Sequence, residues 1–219
     1  MRAPIRARLR VVPQAPTHRA IALSTLLVMG ATFGSTLFGF AREVVNARYF
    51  GTRWEMDTFL AAATIPTILF GVFNGALVSA LVPTFTEYLA HGREDDAARL
   101  ASTVTNVLFL VLSALAVVGW VLAPYYVPLI AHGFPAPQMG VAVRMTRWMM
   151  PSIIATSLAG VASAVLNAHH RFAASALAGV AVNVTTIAVV LVLFHRFGIF
   201  ALVAGTTLGL AAQFVVQIP

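Results

Sequence analysis

Residues 100–131, LASTVTNVLFLVLSALAVVGWVLAPYYVPLIA, run for 32 positions without a charged side chain. A helix rises 1.5 Å per residue, so about 20 residues cross the roughly 30 Å hydrocarbon core of a bilayer. A membrane strand would cross in about ten residues and would alternate polar with apolar positions. This run does not alternate, and a helix is the reading that fits. Five further uncharged runs occupy residues 20–41, 58–86, 148–168, 172–194 and 197–219. The expected fold is therefore all-α, a polytopic membrane bundle. Its helices are placed at about 20–41, 58–86, 100–124, 144–168, 172–194 and 197–219, after a basic tail at 1–19.

Composition points the same way. Hydrophobic residues make up 59% of the chain, charged residues 10%, and the mean hydropathy is +0.88. Ordinary soluble domains are about a quarter charged, and so apolar a chain would present large greasy patches to water. Cysteine is absent, which removes disulfides and thiolate sites from consideration. The net charge of +7 comes from arginine alone. Arg2, Arg6, Arg8 and Arg10 crowd one short tail, which reads as a topology signal attracting anionic lipid and not as a nucleic-acid surface.

The first apolar run is too long for a signal-peptide core and has no clear cleavage site, so it is expected to be a retained helix. With the N-terminus in the cytoplasm, eight arginines fall inside and six (Arg42, Arg48, Arg53, Arg144, Arg147, Arg196) fall outside. The tail beside the first helix sets the orientation. Pro66 is expected to kink the second helix, and Pro124 to end the third. Residues 132–140, HGFPAPQMG, read as a loop. The hydrophilic stretch 87–99 reads as a solvated cytoplasmic connection.

The first helix carries a polar stripe: Thr25, Thr32, Ser35, Thr36, Arg42, Glu43 and Asn46 recur at helical spacing. The second shows Asp57, Thr64, Thr67, Gly71 and Asn74 in the same way. Such stripes face another helix or a water-filled cavity, because lipid does not solvate them. Hydroxyls alone serve equally as helix–helix glue, and Gly30 with Gly34 forms a GxxxG packing signal. Arg42 follows the apolar run directly and needs an anion or a carboxylate; Glu43, Glu55 and Asp57 are at hand. The sharper expectation is that Arg42, Arg48, Arg144 and Arg147 line the outer half of one cavity. Guanidinium grips phosphate bidentately and stays charged, which suits a pyrophosphate headgroup. No HExxH, GxSxG or Walker A sequence is present, and no enzyme activity, cofactor or metal is expected. His169, His170 and Arg171 read as a cytoplasmic turn.

The segments GFAREVVNARYFG (39–51), IPTILFGVFNGALVSALVPTFTEY (65–88), AHGF (131–134), MMPSIIATSLAG, VLNAHHRF and QFVVQIP resemble the MviN/MurJ lipid II flippase family. The resemblance runs from about residue 20 to 219. It implies the N-terminal six-helix lobe of a two-lobe exporter that moves a polyprenyl-pyrophosphate-linked saccharide across the bacterial inner membrane for peptidoglycan synthesis. The implied partners are membrane lipid, the lipid-linked substrate, and either a C-terminal lobe or a second copy. Any ion coupling would reside in that second lobe. The family's basic and acidic positions map onto Arg42 and Asp57, and by pattern onto Arg48; with Arg144, Arg147 and Asn74 from the charge and stripe reading above, these form the expected substrate-binding set. The chain departs from the family where Thr36 replaces an arginine, and where TILFGVFNG lacks an Arg-Arg pair and a Glu-Gly. An exopolysaccharide or O-antigen unit is thus an alternative cargo. An organic-cation antiporter using Glu43, Glu55 and Asp57, or a non-transporting membrane partner, are the other readings.

Overall fold

A computed structural model describes residues 18–169 and 172–218; the side chains at 18–25, 27, 28, 74, 76–80, 82, 172–174 and 176, those of Thr25 and Asn74 among them, lie outside the described set. The tail at 1–17, His170 and Arg171 also lie outside it. Every element among the described residues is a helix: α1 (His18–Tyr49), α2 (Trp54–Ala90), α3 (Glu94–Ile130), α4 (Ala136–Met149), α5 (Ser152–Ala168), α6 (Phe172–Phe197) and α7 (Phe200–Val216). Four stretches are long and apolar enough to cross a membrane: Trp54–Phe73, Glu94–Ile130, Ala136–Ala168 and Leu177–Phe197. Phe200–Val216 is a shorter apolar helix.

The helices run up and down. Gln138, at the start of α4, donates to Thr58 Oγ1 at 3.0 Å, placing the starts of α2 and α4 at one end. Phe50 meets Phe194 edge-on at 5.3 Å, bringing the ends of α1 and α6 there too. At the other end, Phe85 meets His169 at 6.0 Å. The turns have local causes. α2 stops at Gly92, whose φ of +69° suits a residue without a Cβ. Arg93 N donates to Tyr88 O and Gly92 N to Leu89 O, so the last carbonyls of α2 are satisfied by a Schellman motif. α3 then opens with Glu94, Asp95 and Asp96, whose carboxylates favour the positive end of the helix dipole.

Three expectations are corrected. The third helix does not end near Pro124 but continues through Pro124 and Pro128 to Ile130. A proline removes one hydrogen bond, whereas ending a helix strands four carbonyls, and apolar surroundings penalise the second more. The loop placed at 132–140 is shorter, because α4 already begins at Ala136 with Pro137 in its first turn, where a missing N–H is harmless. The fourth crossing is two helices, broken at Met150–Pro151. Pro151 cannot donate back to α4, and Ile153 N and Ile154 N bond only three residues back, to Met150 O and Pro151 O.

Close packing follows small residues. α6 and α7 make the most extensive pairing. A Cβ on Gly209 would sit 2.8 Å from Val182 O, and one on Gly205 3.1 Å from Thr186 O, so only glycine permits this approach. α1 lies on α6 through Ser35 and Gly39 against Gly179 and Asn183; Asn183 Nδ2 donates to Ser35 O at 3.1 Å. The expected Gly30–Gly34 seam makes no contact among the described residues: a Cβ at either position meets open space there. The outer faces carry large exposed apolar side chains, such as Phe33, Leu110 and Val192, which lipid rather than water can solvate.

Candidate functional site

A cleft of about 380 Å³ opens between the second half of α1, the first half of α2, the α4–α5 junction and α7. Its walls are mainly apolar. Arg42, Glu43 and Asn46 come from α1, Thr67 from α2, Ser152 and Thr156 from α5, and Thr206 from α7. They converge because each occupies the inward face of its helix, while lipid-compatible residues take the outward faces.

Arg42 is the cationic wall residue. Its Nη2 lies 2.7 Å from Glu43 Oε1 and its Nε donates to the same oxygen at 3.2 Å. The Arg42 side chain is about one-third exposed (32%) and that of Glu43 is 61% exposed. The ion pair is therefore open to solvent and exchangeable, worth about 0–1 kcal/mol in such surroundings. One helical turn on, Asn46 is buried, and its Oδ1 has no hydrogen-bond partner among the described residues. A buried unpaired acceptor costs about 1–3 kcal/mol, which a donor brought by a ligand would recover. The neighbouring hydroxyls are partly committed. Ser152 Oγ donates to Met149 O and Thr156 Oγ1 to Ser152 O, both at 2.6 Å. Each hydroxyl oxygen keeps lone pairs for a donor from the cleft. The arrangement can hold an anion at Arg42 while offering acceptors to hydroxyl-bearing matter alongside.

The other expected site residues are dispersed. Arg48 is exposed in the last turn of α1 and Asp57 is exposed in the first turn of α2; both signs complement their helix dipoles. Neither borders the cleft. Arg144 is exposed with its guanidinium over the Phe200 ring at 5.6 Å. Arg147 turns to α3: it stacks over Trp120 at 4.6 Å and its Nε donates to Trp120 O at 3.0 Å. Asn74 falls on a side chain outside the described set. Of the four arginines expected around one cavity, Arg42 borders this cleft and the other three do not. Ser152, Thr156 and Thr206 were not singled out from sequence. The signal for the first pair was there: two hydroxyls four apart in an uncharged run share a helical face.

No group of three or more His, Asp or Glu residues placed to hold a metal occurs among the described residues. The family model described as lipid II flippase MurJ matches residues 46–219. A lipid II flippase MurJ of Burkholderia cenocepacia is 36% identical over 199 residues, spanning 89% of this chain and 39% of that protein. Among solved structures, a lipid II flippase MurJ in an inward closed conformation superposes with a TM-score of 0.72 at 26% identity. That match covers 87% of this chain and 40% of the other. A MATE structure in a bent conformation gives a TM-score of 0.74 at 13% identity over 93% of this chain, a likeness of fold alone. The chain spans about two fifths of the length of the relatives it matches over most of its own.

Proposed function

The chain belongs to the MurJ lipid II flippase family, and from that premise we propose that it forms one lobe of a transporter for a polyprenyl-pyrophosphate-linked saccharide. The observation that carries this reading is Arg42. A guanidinium borders a cleft between apolar helices, paired among the described residues with a neighbouring exposed carboxylate, one turn from an unpaired amide acceptor. A pyrophosphate displaces Glu43 as the partner of Arg42, because a fork of N–H donors matches phosphate oxygens. Sugar hydroxyls donate to Asn46 Oδ1 and to the hydroxyl oxygens of Ser152 and Thr156. The polyprenyl tail stays in the bilayer, where its transfer costs nothing.

Transport requires the cleft to face each side in turn. Lobes of this architecture rock against one another around a fixed site, so the lobe works against a C-terminal lobe or a second copy. The membrane is the bacterial inner membrane, the N-terminus is cytoplasmic, and the cargo feeds peptidoglycan synthesis. Arg48 and Arg144 then act outside the cleft, attracting the anionic headgroup on its approach by charge, while Asp57 repels a misplaced anion and takes a donor from the saccharide.

The test is complementation of flippase-depleted cells by the complete transporter carrying Arg42→Ala. Growth is lost while the amount of inserted protein is unchanged. Losing a charge-assisted contact to phosphate lowers affinity by about 1.5–3 kcal/mol, or roughly 10- to 150-fold. Growth at the wild-type rate with Arg42→Ala overturns the assignment. In proteoliposomes, a panel of lipid II, an O-antigen unit and an exopolysaccharide unit on the same carrier identifies the saccharide.

A further inference from the structure

Arg147 is placed to do something other than bind cargo. Pro124 has no N–H, so the carbonyl four residues earlier, that of Trp120, loses its helical donor. Arg147 Nε, from the neighbouring helix α4, donates to that same oxygen at 3.0 Å, and its guanidinium lies 4.6 Å from the Trp120 ring centroid. Two more contacts meet at this point. Tyr126 Oη donates to Gly119 O at 2.9 Å. A Cβ on Gly119 would lie 2.6 Å from Met150 Sδ, so α3 touches the α4–α5 junction directly.

That junction is the weak point of the fourth crossing. Pro151 interrupts the hydrogen-bond ladder between α4 and α5, and such breaks are where membrane helices bend. Met149, Ser152 and Ile153, on either side of the break, form part of the cleft wall. Whatever holds the break holds the wall.

We propose that Arg147 is a positioning residue: it supplies from α4 the hydrogen bond that Pro124 removes from α3, and thereby clasps the α4–α5 break against α3 and sets the cleft wall. The clasp is distinct from cargo binding, because it uses the Nε donor on a backbone carbonyl and the guanidinium face on an indole, and Arg147 does not border the cleft. Its logic is reciprocal. With alanine at 124, the restored N–H bonds Trp120 O within α3, and the guanidinium is no longer needed.

The chain contains no cysteine, so a single Thr156→Cys reports the cleft wall without background. Four proteins are compared in detergent and in vesicles: Thr156→Cys alone, and with Arg147→Met, Pro124→Ala, or both. The readouts are the labelling rate with a water-soluble maleimide and the melting midpoint; neither depends on transport. Arg147→Met is expected to change the labelling rate by about fivefold and to lower the midpoint, in line with the loss of one hydrogen bond between membrane helices. The double variant is expected to return to within about twofold of Pro124→Ala alone, the margin of additivity error in such cycles. If Arg147→Met fails to accumulate in membranes, recovery of accumulation by Pro124→Ala supports the clasp and continued failure overturns it. Additive effects of the two substitutions, or unchanged labelling in Arg147→Met, also overturn it. A cargo-binding role alone would leave both readouts unmoved.

Discussion

At the scale of single residues, what matters is which partner each polar group has. Arg42 shares Glu43 with solvent, and this makes the guanidinium available to a stronger anion. Glu43→Gln removes the competing charge while keeping the shape. Binding of a pyrophosphate-bearing lipid, measured by native mass spectrometry, is expected to tighten by up to about fivefold, matching a pair worth at most about 1 kcal/mol. Weaker binding in Glu43→Gln would mean that the carboxylate contacts the cargo itself. Thr146 illustrates the opposite case, a polar group wholly committed to the fold. Its hydroxyl lies 2.9 Å from Ala142 O and 3.4 Å from Ala62 O, the carbonyl whose helical donor Pro66 removes. Thr146→Val is expected to destabilise by about 0.6–1.7 kcal/mol, the range for interhelical hydrogen bonds in membranes, and to leave cargo affinity unchanged. Chemical unfolding in mixed micelles, paired with the binding measurement, checks both halves.

At the scale of elements, two sequences of the same form take different fates. GATFG (30–34) and GTTLG (205–209) both read as GxxxG. Among the described residues, only the second lies at a helix crossing, where Val182 and Thr186 leave no room for a Cβ. Gly209→Ala is expected to lower stability by about 1–3 kcal/mol, since the obstructing atom is a backbone oxygen that cannot swing away. Gly30→Ala and Gly34→Ala are expected to be neutral or slightly stabilising. Thermal unfolding of the three variants side by side decides the matter: equal losses at all three positions would refute this assignment of the seam. The pattern was legible in each stretch, but the partner helix was not, because a GxxxG face says that a close approach is allowed and not what approaches.

The whole molecule is ordered by solvent. The described helices leave large apolar side chains facing outward along much of their length. The polar connections at 51–53, 91–93 and 131–135 alternate between ends. With a cytoplasmic N-terminus, residue 52 lies outside and residue 92 inside. In intact cells, Thr52→Cys should react with a membrane-impermeant maleimide, and Gly92→Cys only after permeabilisation. The reverse pattern would invert the proposed orientation. Gly92 adopts a positive φ, so His91→Cys serves as a second inner reporter without backbone strain.

Much of this architecture was readable before any tertiary structure. The apolar runs became helices, and four stretches among the described residues are long and apolar enough to cross a membrane, because partition between lipid and water depends on composition summed over about 20 consecutive residues, a local quantity. Arg42 stood out for the same reason: a charge set against the end of an apolar run needs a partner wherever the run goes. The shared destination of Arg48, Arg144 and Arg147 was not local. Whether side chains on three helices meet depends on how each helix is rotated about its axis, and packing of glycine, hydroxyl and proline positions against distant segments sets that rotation. Sequence alone thus determined that the chain is a membrane bundle with Arg42 at the edge of an apolar run. Only the tertiary structure decided that Arg42 enters a cleft while Arg147, with a backbone carbonyl 27 residues away as its nearest need, turns to its neighbour.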